Sequence, residues 1–123
     1  MRQRAMAVSR KELRTDTALI VLNEDSSLPE ESLYRNWTEV VYDGLTEPFV
    51  VPAHWHAGHT ELLSVKSGVV EISLDGATRK VTPSDGVVRV PPYHLHGFRM
   101  VKGTPAVLVE RPDPAAYAPT KQM

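Results

Sequence analysis

The chain contains no cysteine. Disulfides and thiolate-ligated metals are therefore excluded, and any metal centre must be built from nitrogen and oxygen donors. No apolar run approaches the roughly 18 residues that a membrane-spanning helix needs. The N-terminus has no long apolar segment of the kind that marks a secretory signal, so a cytoplasmic protein with no membrane partner is expected. A net charge of −1 gives no overall electrostatic case for nucleic acid or for a membrane surface. Apolar stripes at helical spacing are also missing. The only helical candidates are SRKELR (9–14) and a turn at PEESLYRN (29–36), and neither has a convincing apolar face. Histidine is absent from almost the whole chain: five occur, and all lie in HWHAGHTE (54–61) and YHLHGF (93–98).

What remains is an ordinary globular composition, 41% hydrophobic and 24% charged, at a length of 123 residues that suits one domain. Charge is uneven along it. Residues 1–15 carry five basic side chains against Glu12, and residues 16–47 carry eight acids against Arg35. The basic stretch either folds onto the acidic one or stays flexible, and its terminal position favours the second. Residues 1–33 are thus read as a partly flexible N-terminal arm.

From Tyr34 onward, short Val-rich segments alternate with turn residues. Residues 38–43, 49–56, 61–67, 69–75, 78–82, 87–91, 96–102 and 106–111 all read as strands. Asp75-Gly76 signals a tight hairpin. In VVEISLD, Val70, Ile72 and Leu74 share one face, which marks a half-buried strand. About eight short strands at this spacing predict an all-β barrel or sandwich over residues 34–111. Residues 112–123, with three prolines, predict an extended tail.

Alternate residues of a strand point the same way. His54 and His56 should therefore face together with Trp55 turned away, and His94 and His96 should repeat the pattern. Glu61 follows a short AGHT connection and is expected on the neighbouring antiparallel strand. Three imidazoles and a carboxylate suit one divalent transition metal: Fe, Mn, Ni, Cu or Zn.

HWHAGHTELLSVKSG resembles the first motif of the cupin family, in which two histidines one residue apart are followed by Glu and then Gly. Here these are His54, His56, Glu61 and Gly68. DGVVRVPPYHLHGF is similar to the second motif, with Pro91 at its proline step and His96 at its histidine. Tyr93 stands where a glycine is common, and Asp85-Gly86 reverses the usual order. More locally, the sequence resembles small single-domain cupins of fungal secondary-metabolite clusters.

The resemblance implies a cupin-type β-barrel or double-sheet jelly roll, with His54, His56, Glu61 and His96 as metal ligands. It also implies a homodimer and a metal-dependent enzyme acting on a small organic, aromatic or polyketide-like molecule. Oxygenase and isomerase, dehydratase or decarboxylase chemistries are all found in the family. A non-catalytic small-molecule binder is the alternative, although residues 1–33 are too short to add a DNA-binding unit. His59, His94 and Tyr93 are the candidate catalytic residues beside the metal, since a histidine there suits proton transfer. Phe98 and Met100 alternate with Arg99 and share parity with His96, so they should form an apolar wall of the substrate pocket while Arg99 faces out.

Overall fold

The computed structural model describes residues 7–118. No α-helix occurs among the described residues, and ten strands form two antiparallel sheets. The larger sheet holds β1 (Val8–Arg14), β2 (Leu19–Asp25), β3 (Asn36–Tyr42), β5 (Thr60–Ser67), β8 (Val87–Val90) and β10 (Ala106–Asp113), in the order β1-β2-β3-β10-β5-β8. The smaller sheet holds β4 (Val50–His54), β6 (Val70–Leu74), β7 (Ala77–Val81) and β9 (His96–Met100), in the order β4-β9-β6-β7. One core lies between them, fed from the larger sheet by Val40, Leu63 and Leu108 and from the smaller by Ile72, Phe98 and Met100. This is the all-β sandwich that the strand pattern predicts, in the double-sheet jelly-roll form that the resemblance implies.

All eight expected strands are present, with ends shifted by up to two residues. Val70 and Ile72 are buried and Leu74 is partly so, as their alternation requires. The β6–β7 hairpin turns on Asp75 (φ 51°) and Gly76 (φ 86°), with Leu74 opposite Ala77. Two successive positive φ values match the right-handed twist of the strands they join.

The N-terminal expectation needs correction. Residues 9–14, the helical candidate, lie in β1, and β1 pairs along its full length with β2. Six residues make too few internal hydrogen bonds to nucleate a helix, whereas an available edge supplies a partner for every second backbone group. β2 was masked in the sequence by its run Leu19–Leu22, which does not alternate. The basic stretch thus folds onto its acidic neighbour from residue 8 onward, and Arg2 and Arg4 lie outside the described residues. Residues 29–36 form turns rather than a helix before β3 begins at Asn36. At the other end β10 continues to Asp113, and a single 3-10 turn, Ala115–Tyr117, follows. Residues 119–123 lie outside the described residues.

Core and edge should respond differently to truncation. Leu108 is fully buried in β10 and Leu13 is 44% exposed on β1. Leu108→Ala is expected to cost about 2–5 kcal/mol, and Leu13→Ala to stay within about 0.5 kcal/mol, both read from urea unfolding.

Candidate metal centre

The smaller sheet sets the floor of the site. β4 and β9 pair at Val51 opposite Phe98 and at His54 opposite His96, so Pro52 and Ala53 together oppose Gly97. This bulge of two residues against one is where a strand tolerates proline. It also needs glycine opposite. A Cβ on Gly97 would lie 2.5 Å from the Val51 carbonyl oxygen and 3.0 Å from the Pro52 carbonyl carbon. The close crossing brings the rings of His54 and His96 to 4.3 Å between centroids.

The expected pairing of His54 and His56 within one strand is only half realised. β4 ends at His54, and His56 sits in the connection that follows, yet its ring still comes within 4.9 Å of His54 and 5.2 Å of His96. Glu61 does not lie on the strand next to β4 either. The connection crosses to the opposite sheet, where β5 pairs with β8 and β10. Glu61 therefore reaches the histidines across the interior. The donor atoms of His54, His56, Glu61 and His96 all lie within 4.8 Å of one another. Donors on opposite sides of one ion with bonds of about 2.1 Å stand roughly 4.2 Å apart, so a small contraction would seat a metal.

Ring hydrogen bonds make the donor chemistry specific. Nδ1 of His54 is 2.8 Å from the Pro52 carbonyl oxygen, and Nδ1 of His96 is 3.0 Å from the His94 carbonyl oxygen. A carbonyl only accepts, so both Nδ1 atoms carry the proton. That leaves each Nε2 facing the cluster, the arrangement in which metal-ligating histidines are held. His96 Nε2 lies 2.9 Å and His56 Nε2 3.3 Å from the same oxygen of Glu61. A divalent ion held here would take the place of the direct contacts of His96 and His56 with Glu61. The residues fit a metal.

Electrostatics point the same way. Burial pushes the Glu61 carboxyl up, but hydrogen bonds from Glu110 and His96 and the nearby imidazoles outweigh it and hold the group below its ordinary range. Burial lowers His56; Glu61 opposes that, and the other three histidines around it add to it. Both shifts favour an ionised Glu61 and a neutral His56, the forms that bind metal.

Glu110 was not anticipated from the sequence. It shares parity with Ala106 and Leu108 on β10, so it points inward and hydrogen-bonds Glu61. Burial, the Glu61 charge and that hydrogen bond push it up to about 8. A charged residue on the core face of a strand was the available signal, since such residues are almost never buried without a partner.

The other expected residues separate. His59 stays by the cluster, with its ring 4.5 Å from His56. His94 turns away, and its Nδ1 lies 2.6 Å from Asp75 with both side chains exposed. Tyr93 is exposed and stands 5.8 Å from the exposed Trp55 ring, while its N–H donates to the His56 carbonyl at 2.7 Å. Its φ of 71° is one that glycine adopts freely, which accounts for the glycine common at this place in the motif. Phe98 and Met100 point inward behind His96 but are packed into the core, where Phe98 meets Phe49 at 5.9 Å. Arg99 is exposed.

Solved structures share this architecture. An RmlC-like cupin from Shewanella frigidimarina superposes with a TM-score of 0.53 over 90% of this chain and 79% of its own, at 19% identity. The capsular polysaccharide assembling protein CapF of Staphylococcus aureus gives 0.64 over 92% and 30%, at 15% identity. Oxalate oxidase in complex with the substrate analogue glycolate gives 0.53 over 65% and 42%, at 19% identity. The chain has the cupin fold. In sequence, the chain is 43% identical over 47 residues to the probable oxidoreductase patJ of Penicillium expansum, covering 38% of this chain and 14% of that protein. It is 36% identical over 86 residues to the probable oxidoreductase virH of Hypocrea virens, covering 68% and 37%. These matches therefore span well under half the length of those two relatives. No protein-family model matches the chain.

The raised carboxyl of Glu110 has a consequence for the metal-free protein. Native Glu110 holds a proton up to about pH 8, whereas unfolded chains release it near 4.5. Between those values the native state binds more protons, so this group's contribution to stability falls as pH rises. Glu61, held low, acts oppositely and only at lower pH. Glu110→Gln should flatten the stability profile between about pH 5 and 8 and raise stability at pH 8, measured by urea unfolding in chelator.

Proposed function

We propose that this cupin holds one divalent transition metal through His54, His56, Glu61 and His96 and carries out oxidoreductase chemistry on a small organic substrate. The observation that carries the reading is the pair of Nδ1 atoms tied to carbonyls, which leaves Nε2 of His54 and His96 for the cluster, with His96 Nε2 2.9 Å from Glu61. The probable oxidoreductases that match in sequence favour the oxidoreductase class, while the fold itself is shared by oxalate oxidase and by DMSP lyases alike. When bound, such a metal supplies Lewis acidity or redox chemistry with O₂.

The chain's own residues do the remainder. Glu110 and Glu61 hold a proton between two carboxylates away from solvent. His59, next to His56 at the open side, is the histidine placed to carry protons in and out. Phe98 and Met100 exclude water behind His96. We also infer a homodimer joined along β1, whose residues are exposed on both faces and whose outer edge is unpaired among the described residues.

Protein from cells grown with iron, manganese and zinc should carry about one transition metal per chain by elemental analysis. His96→Ala should lose most of it. Gly97→Ala forces β4 off β9 and should weaken metal binding on the order of 10–100-fold, as changes behind metal ligands do. Metal-free wild type would sink the reading. Oxygen uptake with candidate substrates should accompany a redox-active metal, whereas turnover without O₂ or with zinc would move the assignment to isomerase or lyase chemistry. Sedimentation should give a dimer, and a clean monomer would refute the pairing along β1.

A further inference from the structure

Exposure across the donor cluster increases toward His56. Side-chain exposure rises from 4% at His96 through 16% at Glu61 to 34% at His56. The way in therefore lies past His56, and two rings stand there. His59 packs against His56 at 4.5 Å with 32° between planes, and Tyr117 stacks on His59 at 5.0 Å and 24°. Three rings in successive contact lead from the His56 imidazole of the cluster out to the surface. These separations are those of attractive aromatic pairs.

Tyr117 is held there by its surroundings. β10 ends with Asp113 paired to Thr60, next to Glu61, so the chain leaves the sheet beside the site. The 3-10 turn that follows is pinned on both sides of Tyr117 by Ala115 and Ala118, both buried. Gly58 provides the seat. A Cβ at Gly58 would lie 2.5 Å from the Tyr117 hydroxyl and 2.8 Å from two of its ring carbons. Tyr117 itself remains 44% exposed, so it borders the entrance without filling it.

We propose that Tyr117, seated over Gly58 and stacked on His59, is the specificity-determining wall of the entrance and selects ligands with a planar ring over aliphatic ones. This rests on the metal-binding reading above. Tyr117 donates nothing to the metal; it gives a ring bound through its polar substituent at the centre an aromatic surface to lie against.

Two zinc-binding probes that differ only in the ring separate these effects. Acetohydroxamate and benzohydroxamate share one chelating group, and zinc adds no redox chemistry. Titration calorimetry on the zinc-loaded full chain should show benzohydroxamate preferred. Tyr117→Ala should reduce that preference about 3–10-fold, the range one aromatic pair contributes, with acetohydroxamate affinity and zinc content unchanged. Gly58→Ala should do the same while keeping the phenol, because its methyl displaces the ring. Tyr117→Phe should retain the preference. Zinc-loaded variants whose preference matches wild type, or that weaken both probes equally, would overturn the wall and leave the metal centre standing. Wild type that takes up no zinc and no other metal would overturn the metal reading itself.

Discussion

The crossing of β4 over Gly97 is the contact on which the site depends. One residue without a side chain lets two backbone segments approach more closely than any Cβ would allow. The bulge places His54 opposite His96, and it sets the Pro52 carbonyl where the His54 ring can donate to it. It also ends the strand, which releases His56 into the connection and sends the chain to the other sheet. Without the bulge His54 would sit elsewhere on β9, and the ring would lose the carbonyl that fixes its tautomer.

The second constraint is parity. His96, Phe98 and Met100 face inward and Arg99 faces out. Slipping β9 by one residue would turn His96 to solvent and drive Arg99 into the core, so the packing of Phe98 and Met100 enforces the position of the ligand. Glu61 is fixed in the same way by Leu63 and Val65 on β5. The ligands come from both sheets, and the register of each sheet is held by apolar residues rather than by the ligands themselves.

This explains which features were legible in the sequence. The eight strands from Asn36 to Asp113 announce themselves through Val-rich segments between turn residues, and the four residues of the donor cluster through residue type and spacing. Glu61 was assigned to a neighbouring strand because a connection as short as AGHT serves a hairpin and a sheet-to-sheet crossing equally well. Nothing local distinguishes the two. β1 is not legible because its five polar and charged residues gain their structure from β2 and not from an apolar face of their own. Glu110 had a signal, inward parity beside Leu108, but its meaning depends on knowing that Glu61 stands next to it. Tyr117 had none, since its place follows from the path of the chain after β10.

Four strands show how one interior serves two purposes. β3 presents Asn36 and Thr38 inward, then Val40 and Tyr42; β5 presents Glu61, then Leu63 and Val65. β9 presents His96, then Phe98 and Met100, and β10, running the other way, presents Glu110 after Ala106 and Leu108. Register aligns these gradients: Thr38 lies opposite Glu110, Val40 opposite Leu108 and Tyr42 opposite Ala106. In these four strands one end of the interior is thus apolar and the other polar. Burying the polar tier opposes folding, and like carboxylates side by side oppose it further. The apolar tier must therefore stabilise the fold by itself, and a metal bound only by the native state would add to that stability in proportion to its affinity. A polar tier assembled against this cost, with its ring tautomers already set by backbone carbonyls, is pre-organised for its ligand rather than shaped by it.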